Sequence, residues 1–96
     1  GVVSYINIPG GRGVRVDTAI YTNYRVSPHY DSLILKLICK APKREEAIKI
    51  MIRALNELII EGIDTNIELH KWILKQKNFL DGSYSTGWLE KNINKF

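Results

Sequence analysis

The sequence predicts an α+β fold, a small antiparallel sheet with helices packed on one face. Three observations predict it. The first third of the chain is rich in β-branched residues and punctuated by Pro9, Gly10, Gly11, Gly13 and Asn23. Leu33–Lys40 alternates with period two. From Lys43 onward the apolar residues return at steps of three and four.

The chain has 96 residues, 45% of them apolar, which suits one small domain with a modest core and argues against disorder. No apolar run approaches the roughly 18 residues that a membrane span requires, and Gly1 opens no signal-peptide pattern. The single cysteine, Cys39, has no internal disulfide partner, which suits a reducing cytoplasm. The net charge is +4, but the basic residues form no block. Their densest cluster, Lys40–Arg44, contains Ala41-Pro42 and runs into Glu45-Glu46, the pattern of a solvated face.

Val2–Ile8 reads as a strand stopped by Pro9. Val14-Arg15-Val16-Asp17 alternates, and Ala19-Ile20-Tyr21 prolongs it to a turn at Thr22-Asn23, where Asn tolerates the left-handed conformation. Tyr24–Val26 returns as a strand until Pro28. In Leu33–Lys40, Leu33, Leu35, Leu37 and Cys39 share the core side, and Ile34, Lys36, Ile38 and Lys40 share a mixed one. On this placement Cys39 is a small buried hydrophobe.

Ile48, Met51, Ile52, Leu55, Leu58 and Ile59 make the stripe of an amphipathic helix, with Glu45 and Glu46 in the first turn, where the dipole favours anions. Gly62 is the expected C′ residue. Thr65-Asn66-Ile67-Glu68 matches a capping box for a second helix with Leu69, Trp72 and Ile73 on its apolar face. Asp81-Gly82-Ser83 is a turn, and Ser85 or Thr86 caps a short last helix through Trp88 and Leu89.

The glycine-rich stretch Pro9–Asp17 lacks the features of a phosphate cradle. Such a loop needs Gly-x-x-x-x-Gly-Lys-Ser/Thr between a strand and a helix, whereas this one joins strand to strand. His29, His70 and Cys39 lack metal-ligand spacing. Ser27, His29 and Asp31, at i, i+2 and i+4 of an extended segment, point one way without closing into a triad. Paired carboxylates for acid–base work are missing from the loops. The residues therefore predict no complete catalytic site and no metal site. A small basic nucleic-acid-binding domain and a module that adds a strand to its sheet edge remain alternative readings.

The order of motifs is distinctive. PGGRGVRVDTAIY (9–21), YRVSPHYDSLILKLI (24–38), REEAI (44–48), ALNEL (54–58) and GWLEK (87–91) together resemble the C-terminal domain of biotin carboxylase, found in acetyl-CoA, propionyl-CoA and pyruvate carboxylases. The resemblance runs from about Gly1 to Lys91. It implies an ATP-dependent ligase that uses MgATP and bicarbonate to carboxylate biotin on a carrier protein or domain, in settings such as fatty acid biosynthesis. It also implies that residues 1–96 are a truncated C-terminal domain. The ATP-grasp domain with its catalytic residues would lie upstream, and this segment would bind no cofactor and be inactive alone. By the same resemblance Arg12 and Arg15 belong to a homodimer interface, although Arg12 stands where relatives carry an apolar or aromatic residue. Tyr30 and Asp31 border the active-site cleft, and Thr86 and Gly87 approach the nucleotide. The expected partners are a second biotin carboxylase subunit, the upstream ATP-grasp domain and the biotin carrier, with no nucleic acid or membrane. The expected compartment is cytoplasmic.

Overall fold

The computed structural model describes residues 1–27 and 33–96. They form two compact units, Gly1–Thr65 and Asn66–Phe96.

In the first unit the β-rich third supplies β1 (Tyr5–Asn7) and β2 (Val14–Thr18), and the alternating run supplies β3 (Leu35–Cys39). The helical stripe becomes α1 (Arg44–Glu57), followed directly by β4 (Ile59–Glu61). β2 pairs antiparallel with β3, and β1 pairs antiparallel with β4, giving two separate two-stranded ladders. The α+β class holds, with α1 packed on β3 and β2. Val14 and Val16 of β2, with Leu35, Leu37 and Cys39 of β3, form the less exposed face of their ladder. Val3, Ile20, Ala54, Leu55 and Leu58 are buried. Each fully buried Val or Leu contributes about 1.5–3 kcal/mol relative to an exposed one.

Several boundaries differ from the sequence reading. α1 stops at Glu57, and Leu58 turns extended, with φ −72° and ψ 117°. The apolar stripe continues through Ile59, but β1 requires a partner for its backbone, and Ile59–Glu61 supplies it. Gly62 therefore follows a strand instead of closing a helix. Its φ of +98° and the collision that a Cβ would make with the Val2 carbonyl oxygen both require glycine. The expected strand Tyr24–Val26 is reduced to one bridge, Val2 to Arg25, although the Asn23 turn forms, with φ 75°. Leu33 lies ahead of β3 and is 73% exposed, because the ladder that would turn it inward begins two residues later.

The second unit contains α2 (Ile67–Leu74), α3 (Lys77–Leu80), α4 (Trp88–Asn92) and a final 3₁₀ turn, Ile93–Lys95. Trp72 of α2 stands 5.9 Å from Trp88 and 5.7 Å from Phe96, ring centroid to ring centroid, and Phe79 stacks on Tyr84 at 5.3 Å. The cap position of α2 is Asn66, one residue beyond Thr65, and that of α4 is Gly87; neither cap makes a side-chain hydrogen bond. The turn at Asp81 forms as expected, with Ser83 N donating to Asp81 Oδ1 at 2.9 Å.

Candidate functional site

The glycine-rich turn leaves β1 through Pro9, which is buried, and exposes Gly10, Gly11 and Arg12. Val14 N donates to the Gly11 carbonyl at 3.2 Å, closing the turn ahead of β2. Gly13, with φ +78°, is pressed against the start of the β3–α1 connection. Lys40 N donates to its carbonyl at 2.8 Å, and a Cβ at Gly13 would stand 2.6 Å from the Lys40 carbonyl oxygen. Gly13 thus serves a close approach between backbones.

Arg15 follows on the outer face of β2, its side chain 73% exposed. Its Nε donates to Asp17 Oδ1 at 3.1 Å, two residues along the same face. The register sets Arg15 opposite Ile38 and Asp17 opposite Lys36. The outer face of the β2–β3 ladder therefore presents a cation, two further charges of opposite sign and an apolar side chain, Ile38, that is 44% exposed. An exposed ion pair of this kind contributes about 1 kcal/mol or less to the isolated fold. Arginine forks beside apolar area are, however, a common composition for a protein–protein contact.

A cavity of about 460 Å³ opens at the far end of the same ladder, with Asp17, Thr18, Ile20, Tyr24, Leu35 and Lys36 among its lining. The Thr18 hydroxyl fixes its edge by donating to the Ile34 carbonyl at 2.6 Å and accepting from Ile20 N at 3.2 Å. Ser27 and Leu33 also line it. Sequence reasoning did not find this cavity, since its walls come from two strands and a turn that no local pattern links. Tyr30 and Asp31, together with His29, lie outside the described residues.

Thr86 and Gly87 belong to the second unit. Thr86 is exposed, and Gly87 is the residue before α4. A Cβ on Gly87 would meet only Lys91 Cε, at 3.9 Å, so packing within this unit does not demand glycine there.

Among the described residues no three His, Cys, Asp or Glu side chains gather as a metal site. Cys39 Sγ donates to Met51 Sδ at 3.9 Å; burial pushes its thiol pKa up, and the Arg53 charge partly offsets this. Tyr21 and Tyr24 meet edge to face at 5.2 Å, and the Trp72 group packs on itself, so these rings pair with each other.

Known proteins share this architecture. The family model described as the biotin carboxylase C-terminal domain matches residues 1–91. The biotin carboxylase of Haemophilus influenzae is 50% identical over 93 residues, covering 97% of this chain and 21% of that protein. Among solved structures, the biotin carboxylase domain dimer of Hydrogenobacter thermophilus 2-oxoglutarate carboxylase, in complex with MgADP, ADP and bicarbonate, superposes with a TM-score of 0.93 at 41% identity. It covers 98% of this chain and 21% of the other. The complete multifunctional pyruvate carboxylase of Rhizobium etli superposes with a TM-score of 0.93 at 32% identity, covering 98% of this chain and 9% of the other. The chain thus spans about a fifth of the length of the first two relatives and less than a tenth of the third.

Proposed function

The chain belongs to the biotin carboxylase C-terminal domain family, and on that premise we propose that it works as the C-terminal segment of a biotin carboxylase, an ATP-dependent ligase. The parent uses MgATP and bicarbonate to carboxylate biotin on a carrier protein. The segment contributes scaffold, a homodimer surface and one wall of the active-site cleft, while polypeptide outside these residues performs the reaction. The working compartment is the cytoplasm.

The observation that carries this reading is the outer face of β2–β3. Arg15 projects there with Asp17, Lys36 and Ile38 beside it, next to a turn whose Gly13 packs against the Lys40 backbone. Arg12 and Arg15 are assigned to the dimer contact, Tyr30 and Asp31 to the cleft wall, and Thr86 and Gly87 to the neighbourhood of the nucleotide. The domain dimer and the bound MgADP and bicarbonate of the 2-oxoglutarate carboxylase relative support the assignment.

The test is ATP hydrolysis driven by bicarbonate and free biotin. It is measured on this chain alone and on the chain joined to its upstream ATP-grasp portion. Turnover is expected only from the joined protein. Turnover by the isolated chain would overturn the proposed division of labour.

A further inference from the structure

The turn that carries Arg12 and leads to Arg15 is braced along its length by one stripe of α1. At its start, Asn7 Nδ2 donates to the carbonyl oxygen of Glu57 at 2.7 Å. That carbonyl ends the helix and has no intrahelical partner of its own. At the crest, a Cβ on Gly11 would stand 3.4 Å from Arg53 Nη2, so the guanidinium lies directly on the turn. Glu57 Oε1 holds Arg53 Nε at 3.8 Å from one helical turn further on. At the end, a Cβ on Gly13 would stand 3.3 Å from Ile50 Cδ1. Ile50, Arg53 and Glu57 are spaced by three and four, so they share one face of α1.

Glycine loses more backbone entropy on ordering than any other residue, so a turn with three glycines does not hold one shape unaided. A surface that meets its partner already ordered avoids that loss at the moment of binding. Asn7 lies in β1 and Arg53 in α1, so neither belongs to the outer face of β2–β3. We infer that Asn7 and Arg53 are positioning residues, which clamp the Ile8–Gly13 turn to α1 so that Arg12 and Arg15 reach a second subunit preorganised. The inference rests on the reading of this turn as an assembly surface.

The experiment uses the full-length protein containing this chain, with Arg53→Met, Arg53→Lys, Asn7→Ala and, separately, Arg15→Glu. Hydrogen exchange followed by mass spectrometry reads the turn, and sedimentation equilibrium reads dimerisation. In R53M and N7A the amides of Val14 and Lys40, bonded to Gly11 and Gly13, should exchange about fivefold faster or more, while α1 exchanges at its usual rate. The dimer dissociation constant should rise by a similar factor, and R53K, which keeps the charge without the fork, should recover part of both. Unchanged exchange at the turn, or acceleration spread evenly over the chain, would overturn the inference. A loosened turn with an undisturbed dimer would overturn it as well. A dimer that withstands Arg15→Glu instead removes the assembly reading and leaves the clamp to be judged on exchange alone.

Discussion

Lys40 and Gly13 meet backbone to backbone: Lys40 N donates to the Gly13 carbonyl at 2.8 Å, and a Cβ on Gly13 would come 2.6 Å from the Lys40 carbonyl oxygen. With φ at +78°, Gly13 faces both a strained dihedral and a collision with main chain if it is replaced. Gly13→Ala should therefore cost at least about 2 kcal/mol. Gly10 has nothing within 4 Å of a Cβ and no positive φ, so Gly10→Ala should stay within about 0.5 kcal/mol. Urea midpoints of the two variants test the contrast.

Arg15→Glu should shift the full-length protein toward monomer. The substitution reverses a cation that is 73% exposed and sets a second carboxylate beside Asp17. Because the site is solvent-exposed, far-ultraviolet circular dichroism should match that of the parent. Sedimentation velocity at low and high salt is the measurement, and an unchanged dimer removes Arg15 from the contact.

Cys39 supplies an alkaline limit. Burial raises its folded pKa above the ordinary 9.0. Between those two values the folded state binds the more protons, so stability is intact below about pH 9 and falls as pH climbs through the folded value. Cys39→Ser should flatten that slope in urea titrations between pH 8 and 10. Reaction of Cys39 with a thiol reagent at pH 8 should also be slower than that of the unfolded chain.

Trp72 is the hub of the second unit's aromatic group, within 6 Å of both Trp88 and Phe96. Trp72→Ala should cost about 3 kcal/mol, and Trp72→Phe should recover much of it. Near-ultraviolet circular dichroism with thermal melts reads both.

Local chemistry made much of this legible. The period-two run that became β3 and the three–four stripe that became α1 are set by neighbours along the chain, as is the Asn23 turn, and each starts within the stretch its pattern marks, β3 taking Leu35–Cys39 of its run. The end of α1 does not follow its pattern. Leu58 and Ile59 continue the helical stripe, and only the demand of β1 for a partner, many residues away, turns Ile59–Glu61 into a strand. Gly62 shows the same limit, since its reason is the Val2 carbonyl and not a helix end.

At the candidate site, Arg15 falls on the outer face because alternation alone decides it. The i,i+4 spacing of Arg53 and Glu57 is legible as a pair, but the reach of Asn7 to Glu57 and of Arg53 to Gly11 carries no signal in the sequence. A side chain reaching the last carbonyl of a helix across 50 positions leaves no local pattern. The resemblance to biotin carboxylases named the candidate residues, and the geometry adds the contacts of α1 with the turn that carries Arg12.

The pairing of β1 with β4 bears on how such a chain emerges from the ribosome. Tyr5–Asn7 is translated ahead of its ladder partner, which arrives only with Ile59–Glu61, after all of α1. Until then the nascent segment carries an unmet strand edge, so its protection falls to chaperones or to neighbouring nascent structure. Ribosome-stalled chains ending before Ile59 should accordingly be more open to protease at Tyr5–Asn7 than those ending beyond Glu61.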